Sequence, residues 1–334
     1  MSLSAPLFSV VIPAYNAERF LPAALRSVLL QTVQDFEIVV VNDGSTDNTA
    51  EMLKGEPDSR LRVITRENGG ECAARNQGMM EARGKFIAFL DSDDAWLPNH
   101  LEQALSFMNG HPGIAWFSST LRKVQDITEE DLQPADIRRE RLSAVNWYLE
   151  GAPHTLPSTV TVRRGEIQRY PHLFAEDYKM FGDNIGWCIF AKDHPAVGLS
   201  DTPTALYRYW EGNASSCHNV TFHGMRSKAL QMALAKHAEL SREPDCPAEA
   251  RLYFRQFALH EWWPCISSAF LPEEWQEDIS EREDVTGKAT ACWMRTLYKV
   301  NCLSLQAAHW GVRMREEAVQ RKMKRMADKA RITY

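Results

Sequence analysis

The part of the sequence with the clearest chemistry is a run of carboxylates, Asp91-Ser92-Asp93-Asp94, that directly follows an apolar segment. Carboxylates this close together repel one another when ionised, which raises their pKa values. A divalent cation removes that repulsion, and Mg²⁺ or Mn²⁺ is commonly shared between one or two carboxylates and substrate phosphates. Taken alone, the same run is also typical of a turn followed by a helix N-terminus, because aspartate is favoured in both.

The strands and helices predicted around this run favour a cation-binding site over a simple turn. Apolar runs predict buried strands, and helical patterns separate them. The predicted strands are 8–13, 36–41, 61–64 and 85–90, and the predicted helices include 17–31 and 71–82. This order predicts an α/β fold with a mostly parallel central sheet flanked by helices. Ligands bind outside the carboxyl ends of such strands, where the chain has Tyr15, Asn16, Asp43 and the aspartate run.

The regions after the fourth strand are less regular. Residues 125–150 are charged and have a helical pattern, whereas 159–162 and 195–209 are predicted to contain strands. Ser45 or Thr46 is expected to cap the helix after the second strand. Residues 217–334 have the character of helices, which predicts a helical C-terminal extension.

Four segments resemble the family 2 glycosyltransferases of the inverting, bacterial type, which have the GT-A fold. The segments are Val10–Glu18, Val39–Thr49, Glu67–Gly78 and Phe89–Asp94. The resemblance is close over about residues 7–120 and looser to about 216. It implies a GT-A domain at 1–216, with a donor-binding half at about 7–120 and an acceptor-side half at about 121–216.

The resemblance also implies a site for a nucleotide-sugar donor, with a UDP-type donor favoured. Tyr15 would lie against the base, Pro13 and Ala14 would offer backbone contacts, and Asp43 would accept a hydrogen bond from the base or ribose. Glu18 would support the same pocket. Arg75 and Asn76 would either face the base or attach their helix to the neighbouring loop.

The aspartate run would complete the donor site. The resemblance makes Asp93 the main ligand of a divalent cation, Mg²⁺ or Mn²⁺, while Asp91 would contact the ribose or assist the metal. Ser92 belongs to the same donor-binding loop. Asp94 has a competing role as a helix cap.

An inverting transfer needs one carboxylate that takes a proton from the attacking hydroxyl. The family places it in a Glu-Asp pair at the start of a helix, and the spacing from Phe174 to Trp187 puts Asp183 at that position, with Gly182 in place of the glutamate. The alternative register, which uses Asp177, misplaces the tryptophan. A helix-cap role for Asp183 is compatible with catalysis.

A second departure from the family pattern lies at Trp210, where a histidine is frequent. Trp210 cannot bind a metal, so coordination would be left to Asp93, Asp91, phosphate oxygens and water, with His218 as a less favoured substitute. Arg208 would either neutralise the diphosphate or form a surface ion pair.

The composition excludes several classes of protein. The net charge of −6 and the pI near 6.0 argue against a general nucleic-acid-binding protein. Seven scattered cysteines without metal-binding spacing predict unpaired thiols in a protein of the reducing cytosol, without a structural zinc site. No signal peptide is apparent, and no apolar run reaches the ~18 residues of a membrane-spanning helix. We therefore expect a cytoplasmic protein.

The segment 310–334 predicts a basic amphipathic helix. Such a helix is typical of one that lies on an anionic membrane, here the inner face of the cytoplasmic membrane. A solvated helix, or one that packs against a second copy in a homo-oligomer, has the same pattern.

The expected function is transfer of a sugar to a glycan or lipid-linked acceptor in cell-surface polysaccharide or lipopolysaccharide synthesis. A nucleotidyltransferase is the weaker enzymatic alternative, because a glycine-rich basic loop would be expected after its first strand, and the chain has Pro13-Ala14-Tyr15-Asn16 there. A non-catalytic nucleotide-sugar-binding protein is the other alternative, since Gly182 and Trp210 depart from the family pattern.

Overall fold

The computed structural model describes residues 5–133, 142–151, 155–178, 181–209, 236 and 239–254. The chain divides into two compact units, one formed by Met1–Trp147 and Gly151–His218 and the other by Tyr148–Glu150 and Asn219–Tyr334. The predicted positions Trp210 and His218 and the basic segment 310–334 lie outside the described residues. In the second unit, residues 239–242 and 248–254 are helical. None of the helices among the described residues is both long and apolar enough to cross a bilayer.

The first unit alternates strands and helices through its first hundred residues. Its strands are β1 (Phe8–Ala14), β2 (Phe36–Asp43), β3 (Leu61–Arg66), β4 (Phe86–Phe89), β5 (Ala95–Trp96), β6 (Trp116–Val124), β7 (Leu142–Asn146), β8 (Val160–Arg163) and β9 (Ala196–Arg208). Its α-helices are α1 (Leu21–Leu29), α2 (Thr49–Gly55), α3 (Glu71–Glu81), α4 (His100–Gly110), α5 (Arg164–Ile167) and α6 (Gly182–Asp193).

All nine strands belong to one sheet, in the order β3-β2-β1-β4-β8-β6-β9-β5, with β7 paired to β9. Strands β1 to β4 pair in parallel, as do β6 and β9. Strands β5, β7 and β8 pair antiparallel with their neighbours. The predicted α/β fold of GT-A type, with its mostly parallel central sheet, is confirmed, and the antiparallel strands all follow β4.

Two local predictions were wrong. Residues 125–150 do not form an α-helix where the structure describes them. Turns follow β6 and are succeeded by β7 and a short π-helical turn at Trp147–Gly151. Ser45 and Thr46 do not cap α2, which begins at Thr49 after Asn48. Both residues instead form hydrogen bonds with Asn16 in the loop after β1.

The central strands are buried on both faces, which explains their continuous apolar sequence. Every residue of β1 is buried. Phe8, Val10 and Ile12 pack in the core cluster that also includes the apolar face of α1. On the other face α3 approaches closely at Gly78, where an added Cβ would lie 2.5 Å from Cγ1 of Val11. This close approach fixes the height of α3 above the sheet.

We expect Gly78→Val to destabilise the protein, because the new side chain would overlap Val11 and Val41. Overpacking of this kind costs about 1–3 kcal/mol, so the free energy of unfolding in urea should fall by about 2 kcal/mol. Gly165→Val is the matched control, since nothing lies within 4 Å of an added Cβ at that helical position. Equal stability of the two variants would contradict the proposed packing of α3.

Candidate active site

The loops after β1 and β2 are joined by hydrogen bonds that leave Tyr15 exposed. Asn16 has a φ of +48°, and its Oδ1 accepts the backbone N–H of Thr46 at 2.8 Å. The N–H of Asn16 donates to Oγ of Ser45 at 3.0 Å. Tyr15, just beyond β1, keeps 51% of its surface exposed. Its ring is therefore presented at the carboxyl edge of the sheet, as a base-stacking residue would need.

Glu18 links the loop after β1 to the start of α2 by hydrogen bonds. Its Oε2 accepts the N–H of Asn48 at 2.9 Å, at the start of α2, and its own N–H donates to Oδ2 of Asp47 at 3.1 Å. The N–H of Ala17 donates to Oγ1 of Thr49 at 2.8 Å. These bonds hold the β1 loop against α2 and satisfy N–H groups that the helix itself leaves open.

Asp43, the last residue of β2, organises the loop before α3. Its carboxylate accepts the N–H groups of Gly69 at 3.0 Å and Gly70 at 2.7 Å, and it forms an ion pair with Nε of Arg66 at 3.0 Å. Only 1% of Asp43 is exposed. These contacts fix the start of α3, and a hydrogen bond from Asp43 to a donor nucleotide stays a prediction.

Arg75 and Asn76 connect α3 to two other parts of the site. Nη2 of Arg75 donates to Oδ1 of Asp91 at 2.8 Å, and its guanidinium lies 5.1 Å from the ring centroid of Phe174. The side chain of Asn76 donates to the carbonyl of Phe174 at 2.8 Å and accepts its N–H at 3.0 Å. Asn76 thus attaches α3 to the segment that precedes α6, one of its two expected roles.

The aspartate run divides into an exposed part and a buried part. Asp91 and Asp93 are partly exposed, whereas Asp94 is buried. Oδ2 of Asp94 accepts the hydroxyl of Ser158 at 2.6 Å, and Oδ1 accepts the N–H of Arg208 at 3.0 Å. Burial raises the pKa of Asp94, and the charges of Asp93 and Asp91 add to the increase. The helix-cap role proposed for Asp94 is wrong, because the next helix begins only at His100.

Arg208 holds the aspartate loop in place. It is buried, its Nε donates to the carbonyl of Asp93 at 2.9 Å, and it forms an ion pair with Asp126. Its guanidinium also lies 4.6 Å from the ring centroid of Phe20. Arg208 therefore positions the carboxylates through the backbone, a role that neither of its two sequence-based interpretations included.

Asp183 lies in the first turn of α6, which begins where two backbone segments approach closely. Phe181 has a φ of +64°, and a Cβ on Gly182 would lie 2.5 Å from Sγ of Cys72 and 2.7 Å from the carbonyl oxygen of Ala175. A glutamate has no room at position 182. This explains why the chain departs from the Glu-Asp pattern while keeping the aspartate.

The charges of the site converge on Arg75. Burial raises the pKa of Asp183, while the positive charge of Arg75 lowers it and Asp91 contributes to the increase. Asp177, the alternative candidate, is exposed. Its neighbour Glu176 accepts a hydrogen bond from Nδ2 of Asn76 at 2.9 Å. The structure therefore brings Asp183, Asp91 and Arg75 into one electrostatic group.

Glu71 also belongs to this group, although the sequence did not predict it as a site residue. Loss of hydration raises its pKa to about 7, Arg75 opposes the increase, and Asp91, Asp183 and Asp93 contribute to it. The available signal was its helical spacing, because residues four apart lie on one helix face. Glu71 is four residues before Arg75 on α3.

The oxygen ligands present suit a hard divalent cation only in part. Among the described residues, no group of three or more His, Cys, Asp or Glu side chains is arranged to hold a metal ion. Asp91 already pairs with Arg75, which leaves Asp93 as the main carboxylate. Such a set fits Mg²⁺ or Mn²⁺ if donor phosphates and water supply the remaining ligands, as is usual for Mg²⁺.

Comparison with known proteins places this geometry in a family. The sequence model described as glycosyl transferase family 2 matches residues 9–163. The Escherichia coli UDP-Glc:alpha-D-GlcNAc-diphosphoundecaprenol beta-1,3-glucosyltransferase WfgD is 45% identical over 103 residues, which are 30% of this chain and 41% of that protein. The chain spans less than half the length of several of the curated relatives that it matches.

Two further similarities extend over more of the chain. The crystal structure of S. aureus TarS 1-349 in complex with UDP-GlcNAc has a TM-score of 0.63 at 20% identity, over 97% of this chain and 92% of that one, which shows a shared fold. An uncharacterized glycosyltransferase from Haemophilus influenzae is 32% identical over 194 residues, which are 54% of this chain and 72% of that protein. On this similarity, together with the match to the family model, the chain belongs to glycosyl transferase family 2.

Proposed function

We propose that the protein is an inverting glycosyltransferase that moves a sugar from a nucleoside-diphosphate donor to a hydroxyl of a glycan or lipid-linked acceptor. The observation that carries the proposal is the convergence of Asp183 with Asp91 and Arg75 at the carboxyl edge of the sheet. The name of WfgD describes transfer from UDP-glucose to a sugar on diphosphoundecaprenol. This supports a UDP-type donor and a place in cell-surface polysaccharide synthesis.

The donor would bind along the carboxyl ends of β1, β2 and β4. The exposed ring of Tyr15 would stack on the base, with the backbone of Pro13 and Ala14 alongside. Asp43 would contribute at the base or ribose, chiefly by holding the loop that borders them. The ribose and diphosphate would lie near Asp91 and Ser92, which follow β4.

Asp183 would act as the general base. It takes the proton of the acceptor hydroxyl while that oxygen bonds to the anomeric carbon of the donor sugar. The bond from this carbon to the diphosphate oxygen breaks, and its electron pair leaves with the nucleoside diphosphate. A single displacement inverts the configuration. Fixing both substrates in line lowers the entropic part of the barrier.

Asp93 would hold a divalent cation, with help from Asp91. The cation would supply a Lewis acid that neutralises negative charge on the diphosphate. Arg208 supports this role, because its bond to the carbonyl of Asp93 fixes the backbone of the loop.

We expect Asp183→Asn to lower kcat for sugar transfer by about 10²-fold or more, the usual contribution of a general base. Donor affinity, measured by calorimetry, should change little. Asp177→Asn is the control, because Asp177 is exposed and follows the same segment. Near-normal transfer by Asp183→Asn, or a larger loss in the control, would assign the base elsewhere. A wild-type chain that binds donors but neither transfers nor hydrolyses them would favour the non-catalytic alternative.

The pH profile gives an independent check of the same residue. A general base works only when deprotonated, and burial raises the pKa of Asp183 above the ordinary value of 3.8. Activity should therefore fall as the pH drops through this raised pKa, at a higher pH than for an exposed aspartate. The residual activity of Asp183→Asn should lack this acidic limb.

We expect chelation with EDTA to abolish transfer and added Mn²⁺ or Mg²⁺ to restore it. Asp93→Asn should lower activity by at least about tenfold at limiting Mn²⁺, since metal-site substitutions typically cost 10–100-fold. Asp35→Asn is a control, because Asp35 is exposed and precedes β2 at the opposite end of the strand from Asp43. Full activity in EDTA would exclude a metal at Asp93.

We further propose that the basic segment 310–334 holds the protein on the inner face of the cytoplasmic membrane. Each Lys or Arg near an anionic surface contributes about 1 kcal/mol. The full chain should therefore float with vesicles of equal parts phosphatidylglycerol and phosphatidylcholine, and the triple variant Lys322→Glu, Lys324→Glu, Arg325→Glu should not. Equal flotation of both proteins would contradict this proposal, and a change in oligomeric state instead would assign the segment to a subunit contact.

A further inference from the structure

Glu71 occupies a position that the rest of the fold holds firmly. It is the first residue of α3, and the two N–H groups just before it, those of Gly69 and Gly70, donate to the buried carboxylate of Asp43. Along the helix, α3 is pinned again where Gly78 lies against Val11. The backbone that carries Glu71 is thus fixed at both ends of the helix.

The neighbours of Glu71 place it beside the proposed base. The adjacent residue, Cys72, is buried against Gly182 at the start of α6, and Asp183 directly follows Gly182. One helical turn later, Arg75 is tied to Asp91. The negative charges of Asp91, Asp183 and Asp93 all act on the carboxyl of Glu71. These charges, together with the contact between Cys72 and Gly182, put Glu71 in the same part of the site as the proposed base.

The side chain of Glu71 is available to a ligand. Part of its surface stays open to solvent even though its neighbours exclude much of the water around it, and within the described part of the chain it accepts no hydrogen bond and forms no ion pair. A solvent-accessible carboxylate on a rigid helix is well placed to accept a hydrogen bond from a hydroxyl group.

Arg75 supplies a second and independent sign of a missing partner. Only 1% of Arg75 is exposed, yet its Nε and Nη1 atoms have no hydrogen-bond partner among the described residues. A buried donor without a partner costs about 1–3 kcal/mol, and such groups commonly mark the place of a water or ligand. Two buried donors without a partner thus lie in the same electrostatic group as the carboxylate of Glu71.

A sugar hydroxyl matches this pair, because it donates one hydrogen bond and accepts others. We propose that Glu71 is a sugar-binding residue of the reaction centre: its carboxylate accepts a hydrogen bond from a ring hydroxyl near the reacting atoms. The buried Arg75 N–H groups meet the same hydroxyl oxygen through one ordered water. This inference rests on the proposed transferase function. The ring belongs either to the donor or to the acceptor, and the UDP-sugar affinity and acceptor KM of Glu71→Gln distinguish the two.

Helix stabilisation is the simpler explanation of a glutamate at this position. A negative charge in the first turn interacts favourably with the helix dipole by about 0.3–1 kcal/mol. Glu51 likewise lies in the first turn of its helix, α2, but outside the site, where it pairs with Lys54. Glu51→Gln is therefore the matched control, since it removes the same dipole interaction.

The test compares Glu71→Gln, Glu51→Gln and the wild-type full chain in three measurements. These are the affinity for UDP, the affinity for the UDP-sugar that the wild type uses best, and KM for the acceptor. Loss of a charged hydrogen bond corresponds to about tenfold in affinity. We expect Glu71→Gln to leave UDP affinity unchanged within about twofold and to weaken one of the other two about tenfold. Weaker UDP-sugar binding identifies the donor ring, and a higher acceptor KM identifies the acceptor ring.

Three results would overturn the inference. They are unchanged values for Glu71→Gln, an equal loss in UDP affinity, and the same changes in Glu51→Gln. The thermal midpoints of the variants exclude misfolding as the cause. A wild-type chain without transfer activity would instead contradict the proposed function itself, so the two failures are separable.

Discussion

The buried guanidinium of Arg75 is the interaction on which the candidate site depends. Three carboxylates, those of Glu71, Asp91 and Asp183, act on this one cation, and only Asp91 bonds to it directly. Without the positive charge, like charges at this spacing would protonate or separate. An exposed ion pair contributes only about 0–1 kcal/mol, so the buried position of Arg75 is essential. Burial removes competing water and lets a single cation act on several carboxylates at once.

Burying an arginine is costly unless its surroundings compensate, and the fold provides part of that compensation. The ring of Phe174 lies 5.1 Å from the guanidinium and itself packs edge-on against Trp187 of α6 at 5.1 Å between centroids. Asn76 bonds to the backbone of Phe174. The same aromatic cluster therefore covers Arg75 and orients the helix that carries Asp183. Packing and charge placement depend on the same residues.

The sequence predicted those parts of the fold and site that local patterns determine. Buried parallel strands read as unbroken apolar runs, so β1 to β4 were predicted within one or two residues, and the polar residues after them were correctly placed at one edge. The two-residue strand β5 and the strand β6 were missed, because β5 is too short to show a pattern and their partner β9 lies far along the chain. Glu71 was missed for a related reason. Its position in the site follows from the contact between Cys72 and Gly182, more than a hundred residues away.

Gly182 and Glu71 together show how this chain distributes charge around its proposed base. The family pattern places two carboxylates next to each other on one helix, where neither can move without the other. Here the backbone at 182 lies too close to Cys72 and Ala175 for a side chain, and the proposed sugar-binding carboxylate, that of Glu71, lies on α3. A carboxylate on a separate helix is held at its own distance from Asp183 and shares Arg75 with it. The geometry of the site is then set by the contact between α3 and α6. Cys72 and Gly182 lie at this contact, where their small size lets the two helices approach closely.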